Sequence, residues 1–181
     1  MAEYKRPPTQ TAAIDHVAQI MAFFVALILA VWIATGTGWA ASYEDNGNGT
    51  VTDETSGLLW QQADSYHELK KGMNWYEALE YVALKNSEKF AGFDDWRLPT
   101  RDELKSLYDK SRPVKSKGGE RIGLPSVFKS GGSYYLWTTN ERGLDNAWYF
   151  GLGFKEDYFN LKELGDLDQG VKMVRGKPAT E

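Results

Sequence analysis

Carboxylates, amides and two histidines are the groups in this chain with chemistry to offer, and their spacing decides which chemistry. The stretch Asp45-Asn-Gly-Asn-Gly-Thr-Val-Thr-Asp53 packs acidic and amide oxygens around two glycines, the raw material of a calcium loop. An EF-type loop places oxygen ligands at its first, third and fifth positions, Gly at the sixth and Glu at the twelfth. Counted from Asp45, the third and fifth positions are Gly47 and Gly49, which have no side-chain oxygen. Counted from Asn46, the sixth is Val51. The pattern fails in both registers, and a hairpin replaces it: Asn-Gly tolerates positive φ, and Thr-Val-Thr suits a strand. No metal ligands are expected. The carboxylate pairs Glu156-Asp157 and Asp166/Asp168 lie in polar turns, where a solvated face outranks an acid/base pair. His67 has no partner pattern around it, so a solvated imidazole is expected. The chain has no cysteine, which removes disulfides, thiolate metal sites and cysteine nucleophiles together. No catalytic set and no cofactor is expected; the chain reads as a protein that is not an enzyme.

Two surfaces remain that could bind something. Between Tyr134 and Phe159 lie nine aromatic residues, too many to point into one small core if strands alternate. Exposed aromatic clusters mark protein or sugar contacts. The candidate interaction surface is Trp137, Asn140, Trp148, Tyr149, Tyr158 and Phe159. The second surface is basic: Lys110, Arg112, Lys115, Lys117 and Arg121 form a candidate patch for a polyanion, such as an anionic glycan or lipid head group. A mobile, solvated loop is the preferred reading of that run. The net charge of −4 speaks against a nucleic-acid partner.

The elements that must position these residues are legible in outline. Tyr43–Asp45, Thr50–Thr52 and Leu58–Trp60 read as short strands. Asn74 with Glu77 resembles a capping box, and Ala78, Leu79, Val82 and Ala83 repeat at helical spacing behind it. Thr100 and Glu103 form a second box, followed by a stripe of Leu104, Leu107 and Tyr108. Ser111 to Ser133 reads as a long loop. Three strand-like runs at 133–140, 146–154 and 157–164 follow, and 170–176 closes the domain. Helices followed by an antiparallel set imply an α+β fold. In Asp94-Asp-Trp-Arg-Leu-Pro-Thr100, Trp96 and Leu98 are expected inward, Thr100 as a cap, and Arg97 paired with Asp94 or Asp95.

Ahead of this domain, no charge occurs from Val17 to Ser42. Residues 17–39 supply the length of about 20 apolar residues that a membrane-crossing helix needs. Lys5 and Arg6 precede it, and no Lys or Arg follows until Lys70. The positive-inside bias puts residues 1–16 in the cytoplasm of a bacterium and the domain in the periplasm, held at the inner membrane. A cleaved signal peptide ending at Ala40 is the competing reading. It has an unusually long polar start carrying Glu3 and Asp15, and its apolar run exceeds the usual span of about 7–15 residues. A retained anchor is preferred. His16, at the inner edge of the span, reads as an interfacial residue at the start of the helix rather than a haem or pigment ligand.

The blocks 45–61, 74–81, 92–109, 134–140, 146–154 and 171–176 together resemble the Lcl-type C-terminal domain family. That family is related to the sulfatase-modifying-factor branch of the C-type-lectin-like folds. The resemblance covers residues 43–176, and Asp-Trp-Arg-Leu-Pro-Thr is its most specific piece. It implies a compact C-type-lectin-like α+β domain with two helices and a short twisted antiparallel sheet. It also implies an envelope or secreted location and, for some members, binding to sulfated polysaccharide. It implies no catalytic residues. Where the family often carries two cysteines, this chain has Val82 and Met173. The Glu-Pro-Asn and Trp-Asn-Asp triplets of calcium-dependent lectins are missing. Two functions are thus expected: a membrane-anchored, non-catalytic accessory subunit of a larger membrane complex or, alternatively, an adhesin-like module for envelope or extracellular polysaccharide.

Overall fold

The computed structural model describes residues 42–177. The expected cytoplasmic tail and membrane span, His16 among them, lie outside the described residues, as do residues 178–181. Among the described residues no helix is long and apolar enough to cross a membrane.

The opening hairpin forms as expected from Asn-Gly chemistry. Strand β1 (Tyr43–Asp45) pairs antiparallel with β2 (Thr50–Asp53), with Gly47 and Gly49 at φ 71° and 86°. The connection is longer than a two-residue turn, because Asn46 N–H closes onto Thr50 C=O at 3.1 Å. The would-be ligand oxygens are spent inside it. Asp45 Oδ1 accepts from Gly47 N–H and Asn48 Oδ1 from the Thr50 hydroxyl.

β2 continues into β3 (Leu58–Gln61), and β3 also pairs with β10 (Val174–Arg175) from the far end of the chain. This first sheet has the order β1-β2-β3-β10. Three helices follow β3. The first, α1 (Ser65–Leu69), was not expected, since five residues give too little periodicity to read. The second, α2 (Trp75–Ser87), starts at the Asn74/Glu77 capping box. Its buried face is Trp75, Ala78, Tyr81 and Val82, while Leu79 is left exposed. The stripe is rotated from the expected one because two large aromatic rings remove more apolar surface from water than Leu79 would. Beyond α2, Asn86 grips the backbone of Trp96 with both ends of its amide, at 2.8 and 2.9 Å. The third helix, α3 (Arg101–Leu107), carries the Thr100/Glu103 box and buries Leu104 and Leu107.

The stretch expected as a mobile basic loop is ordered instead. It folds into a ribbon, β4 (Val114–Lys115) with β5 (Arg121–Ile122), and buries Val114, Ile122, Leu124 and Phe128. Apolar side chains spaced between the lysines anchor the backbone and leave the charges outward. The second sheet contains β6 (Tyr135–Arg142), β7 (Asn146–Gly151), β8 (Glu156–Leu161) and β9 (Gln169–Gly170), in the order β8-β7-β6-β9. It is not purely antiparallel, because β6 and β9 run parallel. Among the described residues the architecture is mixed α+β, with three α-helices, two four-stranded sheets and the two-stranded ribbon rather than two helices and one sheet.

The second sheet is covered on both faces. One cluster joins Leu136 and Phe150 to Leu104, Leu107, Val51 and Trp60. The other joins Trp137 and Ala147 to Trp75, Tyr81, Trp96, Val82 and Met173. Val82 and Met173 therefore share one apolar cluster. Arg97 does not pair with Asp94 or Asp95. The capping box folds Glu103 back over it, and the two side chains meet in a fork with bonds of 2.6 and 2.8 Å. Asp95 binds Arg175 instead.

Candidate functional site: the outer face and edge of the second sheet

Register decides which aromatics share a face. Trp137, Tyr149 and Tyr158 lie in one row across β6, β7 and β8. Trp148 and Phe159 form the next row and so emerge on the opposite face. The six residues expected to form one surface therefore divide.

Trp137 leaves the surface altogether. Its side chain is 0% exposed, and its indole N–H donates to Met73 C=O at 2.9 Å. Above it, the rings of Tyr149 and Tyr158 stack at 5.5 Å, with Tyr135 edge-on to both. Tyr158 hydrogen-bonds Glu156, and that bond to a carboxylate pushes its hydroxyl up to about 12. These tyrosines are half-buried and lean on one another.

The opposite face is different in chemistry. The rings of Trp148 and Phe159 meet edge-on at 5.4 Å. The Arg101 guanidinium lies 4.1 Å from the Trp148 ring, and Arg142 lies 3.6 Å from Phe159 and 5.5 Å from Trp148. Arginine planes on aromatic faces gain from the ring quadrupole and stay available for hydrogen bonds at their edges. Arg101 is held from two sides. Its backbone N–H donates to Asn140 Oδ1 at 2.8 Å, and its side chain binds Asp157, which also takes Lys105 at 2.8 Å. Asn140 thus positions the surface rather than belonging to it. Burial pushes the Asp157 carboxyl up, but the two cations outweigh it and hold it below its ordinary 3.8. Asp157 is therefore a fixed counter-ion, not the solvated turn carboxylate expected. Arg142 has no carboxylate partner among the described residues. Neither arginine was read as part of this site. Arg101 lies 47 positions before the Trp148 it covers, and Arg142 reaches Trp148 and Phe159 only through the pairing of β6, β7 and β8, so no local pattern marks either.

The basic patch is only partly assembled. Lys115 and Arg121 sit directly opposite each other in the β4–β5 ribbon, two exposed cations side by side. Arg112 instead donates to Gly153 C=O at 3.1 Å, and Lys117 pairs with Asp168 at 2.7 Å. Lys110 is exposed near the start of the segment.

His67 is not solvated as expected. Its Nδ1 lies 2.7 Å from Asp64 Oδ1, and its Nε2 lies 3.0 Å from Ser130 C=O. The residue that sequence reasoning missed is Asp64, three positions earlier at the cap of α1; an Asp-x-x-His spacing is its only local signal. The Asp64 hydrogen bond raises the His67 value above 6.5 against the effect of burial, and Ser130 adds to it. Lys172 is buried beside this pair and donates to Gln61 and Gln62 C=O at 3.1 and 3.0 Å. Burial pushes it down to about 8. An adjoining cleft of about 270 Å³ is lined by Gln62, Asp64, His67, Glu68 and Lys129. Its carboxylates are already engaged, Asp64 by His67 and Glu68 by Lys85 and Tyr81. A group whose folded value is raised contributes stability below its unfolded value and loses it as pH rises through the folded one. His67→Gln is therefore expected to flatten the fall in stability of the full chain as pH rises above 6.5. From about 8 upward Lys172, whose folded value is depressed to there, works in the opposite direction. Thermal melts of wild type and variant across this interval check it; parallel curves would refute a charged His67 latch.

Fold and site together define a small α+β domain with two apolar clusters and an arginine-covered aromatic face beside an open sheet edge. The chain belongs to the Lcl C-terminal domain family, whose model matches residues 49–175. No curated protein sequence matches the chain closely enough to lend it a function.

Proposed function

We propose that this chain is a non-catalytic interaction module with a C-type-lectin-like arrangement, anchored in a bacterial inner membrane by residues 17–39, and an accessory subunit of a larger membrane protein complex. The observation that carries the reading is the outward Trp148–Phe159 pair with Arg101 and Arg142 stacked on it. Aromatic and arginine side chains dominate binding energy in protein interfaces, because they combine large apolar area with directed hydrogen bonding at low entropic cost. Phe159 is 48% exposed, and Leu144 and Leu161 lie exposed at the same end of the sheet.

Purification of the full chain in mild detergent, followed by mass spectrometry of co-purifying chains, tests the reading. Trp148→Ala and Phe159→Ala are expected each to weaken retention of partner subunits by about tenfold or more, with circular dichroism unchanged. Full retention by both folded variants would leave the docking surface elsewhere. A second reading has its own observation. The cross-strand pair Lys115/Arg121 places like charges face to face, which is unfavourable unless an anion lies between them. Under that reading a folded Lys115→Ala, Arg121→Ala double variant loses salt-sensitive binding to sulfated polysaccharide while keeping its partner subunits.

A further inference from the structure

We infer that strand β8 is a docking edge that accepts an extended, acidic segment of the partner protein as a fifth strand of the second sheet. This rests on the docking reading above and specifies its partner.

Three observations lead to it. First, β8 is a true edge. The sheet order β8-β7-β6-β9 leaves one side of β8 open. Lys162 N–H donates to Asp145 C=O at 2.8 Å, one step beyond the paired Asn146 and Leu161. In an antiparallel ladder, hydrogen-bonded and non-bonded pairs alternate. The backbone groups of Asp157, Phe159 and Leu161 therefore point away from β7. Leu161 is satisfied locally, by Leu164 N–H on its carbonyl and Asn160 Oδ1 on its N–H. The outward groups of Asp157 and Phe159 have no protein partner among the described residues.

Second, most of the edge lacks the usual protection. Proteins blunt edges with short strands, proline, bulges and charged side chains, lysines above all; in β8 the charges are confined to Glu156 and Asp157 at its start. The other sheet edges here are three residues or shorter: β1, β9 and β10. β8 has six residues, regular pairing with β7, and neither proline nor lysine within it.

Third, charge selects the occupant. Arg142 leaves β6, passes Trp148 on β7 and ends over Phe159 of β8. Its guanidinium thus reaches across two strands to the open edge and finds no carboxylate there. At the other end of the same face stand Arg101 and Lys105, sharing Asp157. A strand added beside β8 presents alternate side chains to this face, about 5 Å from Phe159. A carboxylate there meets the edge of the Arg142 guanidinium, and an apolar side chain two residues away covers Leu161. Main-chain bonds supply affinity and the alternating side chains supply selectivity, the general division of labour in strand addition.

The test uses the full chain in mild detergent and labelled seven-residue peptides of alternating Val and Thr with two Asp. One control carries Lys in place of Asp; another carries N-methylated amides at alternate positions. The acidic peptide is expected to bind saturably, and both controls to bind at least tenfold more weakly. Arg142→Gln should weaken the acidic peptide about tenfold, the equivalent of one charge-assisted bond, and lower its salt dependence. Because the chain has no cysteine, Asn160→Cys gives a single thiol that should form a disulfide with a cysteine-bearing acidic peptide. Failure of the acidic peptide to bind, equal binding of either control, or disulfides formed only between two copies of the chain overturns the inference. If Trp148→Ala releases partner subunits while Arg142→Gln retains them fully, the docking reading stands and the acidic-strand inference falls.

Discussion

Replacing Trp137 by alanine is expected to destabilise the domain by about 3–5 kcal/mol, the range for emptying a buried aromatic site. The ring sits at the centre of the cluster formed by α2, β6 and β7, beneath Tyr149 at 5.3 Å. Its loss removes apolar contacts on every side and also orphans Met73 C=O, whose donor is the indole N–H. A domain of this size loses about 2–4 °C of melting temperature per kcal/mol, so a fall on the order of 10 °C should appear in calorimetry of the full chain. Trp148→Ala provides the contrast. Its ring lies at the surface, where the arginines can rehydrate after truncation, and its cost in stability should be well under half as large. A Trp137→Ala variant melting within about 3 °C of wild type would show that the two faces of the sheet have been assigned in the wrong order.

The second large effect is expected at Glu103. Its carboxylate accepts from Thr100 N–H at 2.7 Å and takes both ends of the Arg97 guanidinium while almost fully buried. Arg97 in turn donates to Gly176 C=O, and its backbone bridges Val174. One carboxylate therefore ties the start of α3 to the C-terminal strand. Glu103→Ala should cost about 3 kcal/mol, because it leaves a guanidinium and a helix-start N–H without their acceptor. Glu103→Gln should cost less, since one acceptor oxygen remains. Arg97→Lys separates charge from geometry: a point charge cannot reproduce the fork, so a clear loss is expected despite conserved charge. Burial pushes the Glu103 carboxyl up, but Arg97 and the Thr100 N–H outweigh it and hold it below its ordinary 4.5. A depressed acid contributes stability above its unfolded value and loses it as pH falls through the folded one. Wild type should thus weaken on acidification below 4.5, and Glu103→Gln should flatten that slope without abolishing it, since Asp64 and Asp157 are depressed too. Denaturant titrations at a series of acidic pH values measure this, and an unchanged slope would remove Glu103 from the account.

What was legible in advance was local chemistry. The Asn-Gly hairpin and the two capping boxes depend on residues within four positions of each other, so the side chain that satisfies each backbone group stands next to it in the chain. The inward placement of Trp96 and Leu98 also followed, because two large apolar side chains flank one charge in an extended segment. The family was equally readable, since its most specific block is a run of consecutive residues.

Tertiary structure decided the rest, for one recurring reason: the deciding partner lies far away in sequence. Alternation along β6 and β7 could not say which aromatics face out, because both faces of that sheet are covered and Leu136 and Trp137 are equally buried. Tyr135 meets Gln169 in a parallel pairing that no local pattern announces. His67 becomes a bridge only when Ser130, 63 positions on, arrives. Arg97 is the local exception: Glu103 is six positions on, and the start of α3 folds it over the guanidinium. Residue types alone showed that this chain holds more rings than one core can hide. Only the fold showed that two arginines lie over the ones left outside, beside a strand edge with nothing paired to it among the described residues.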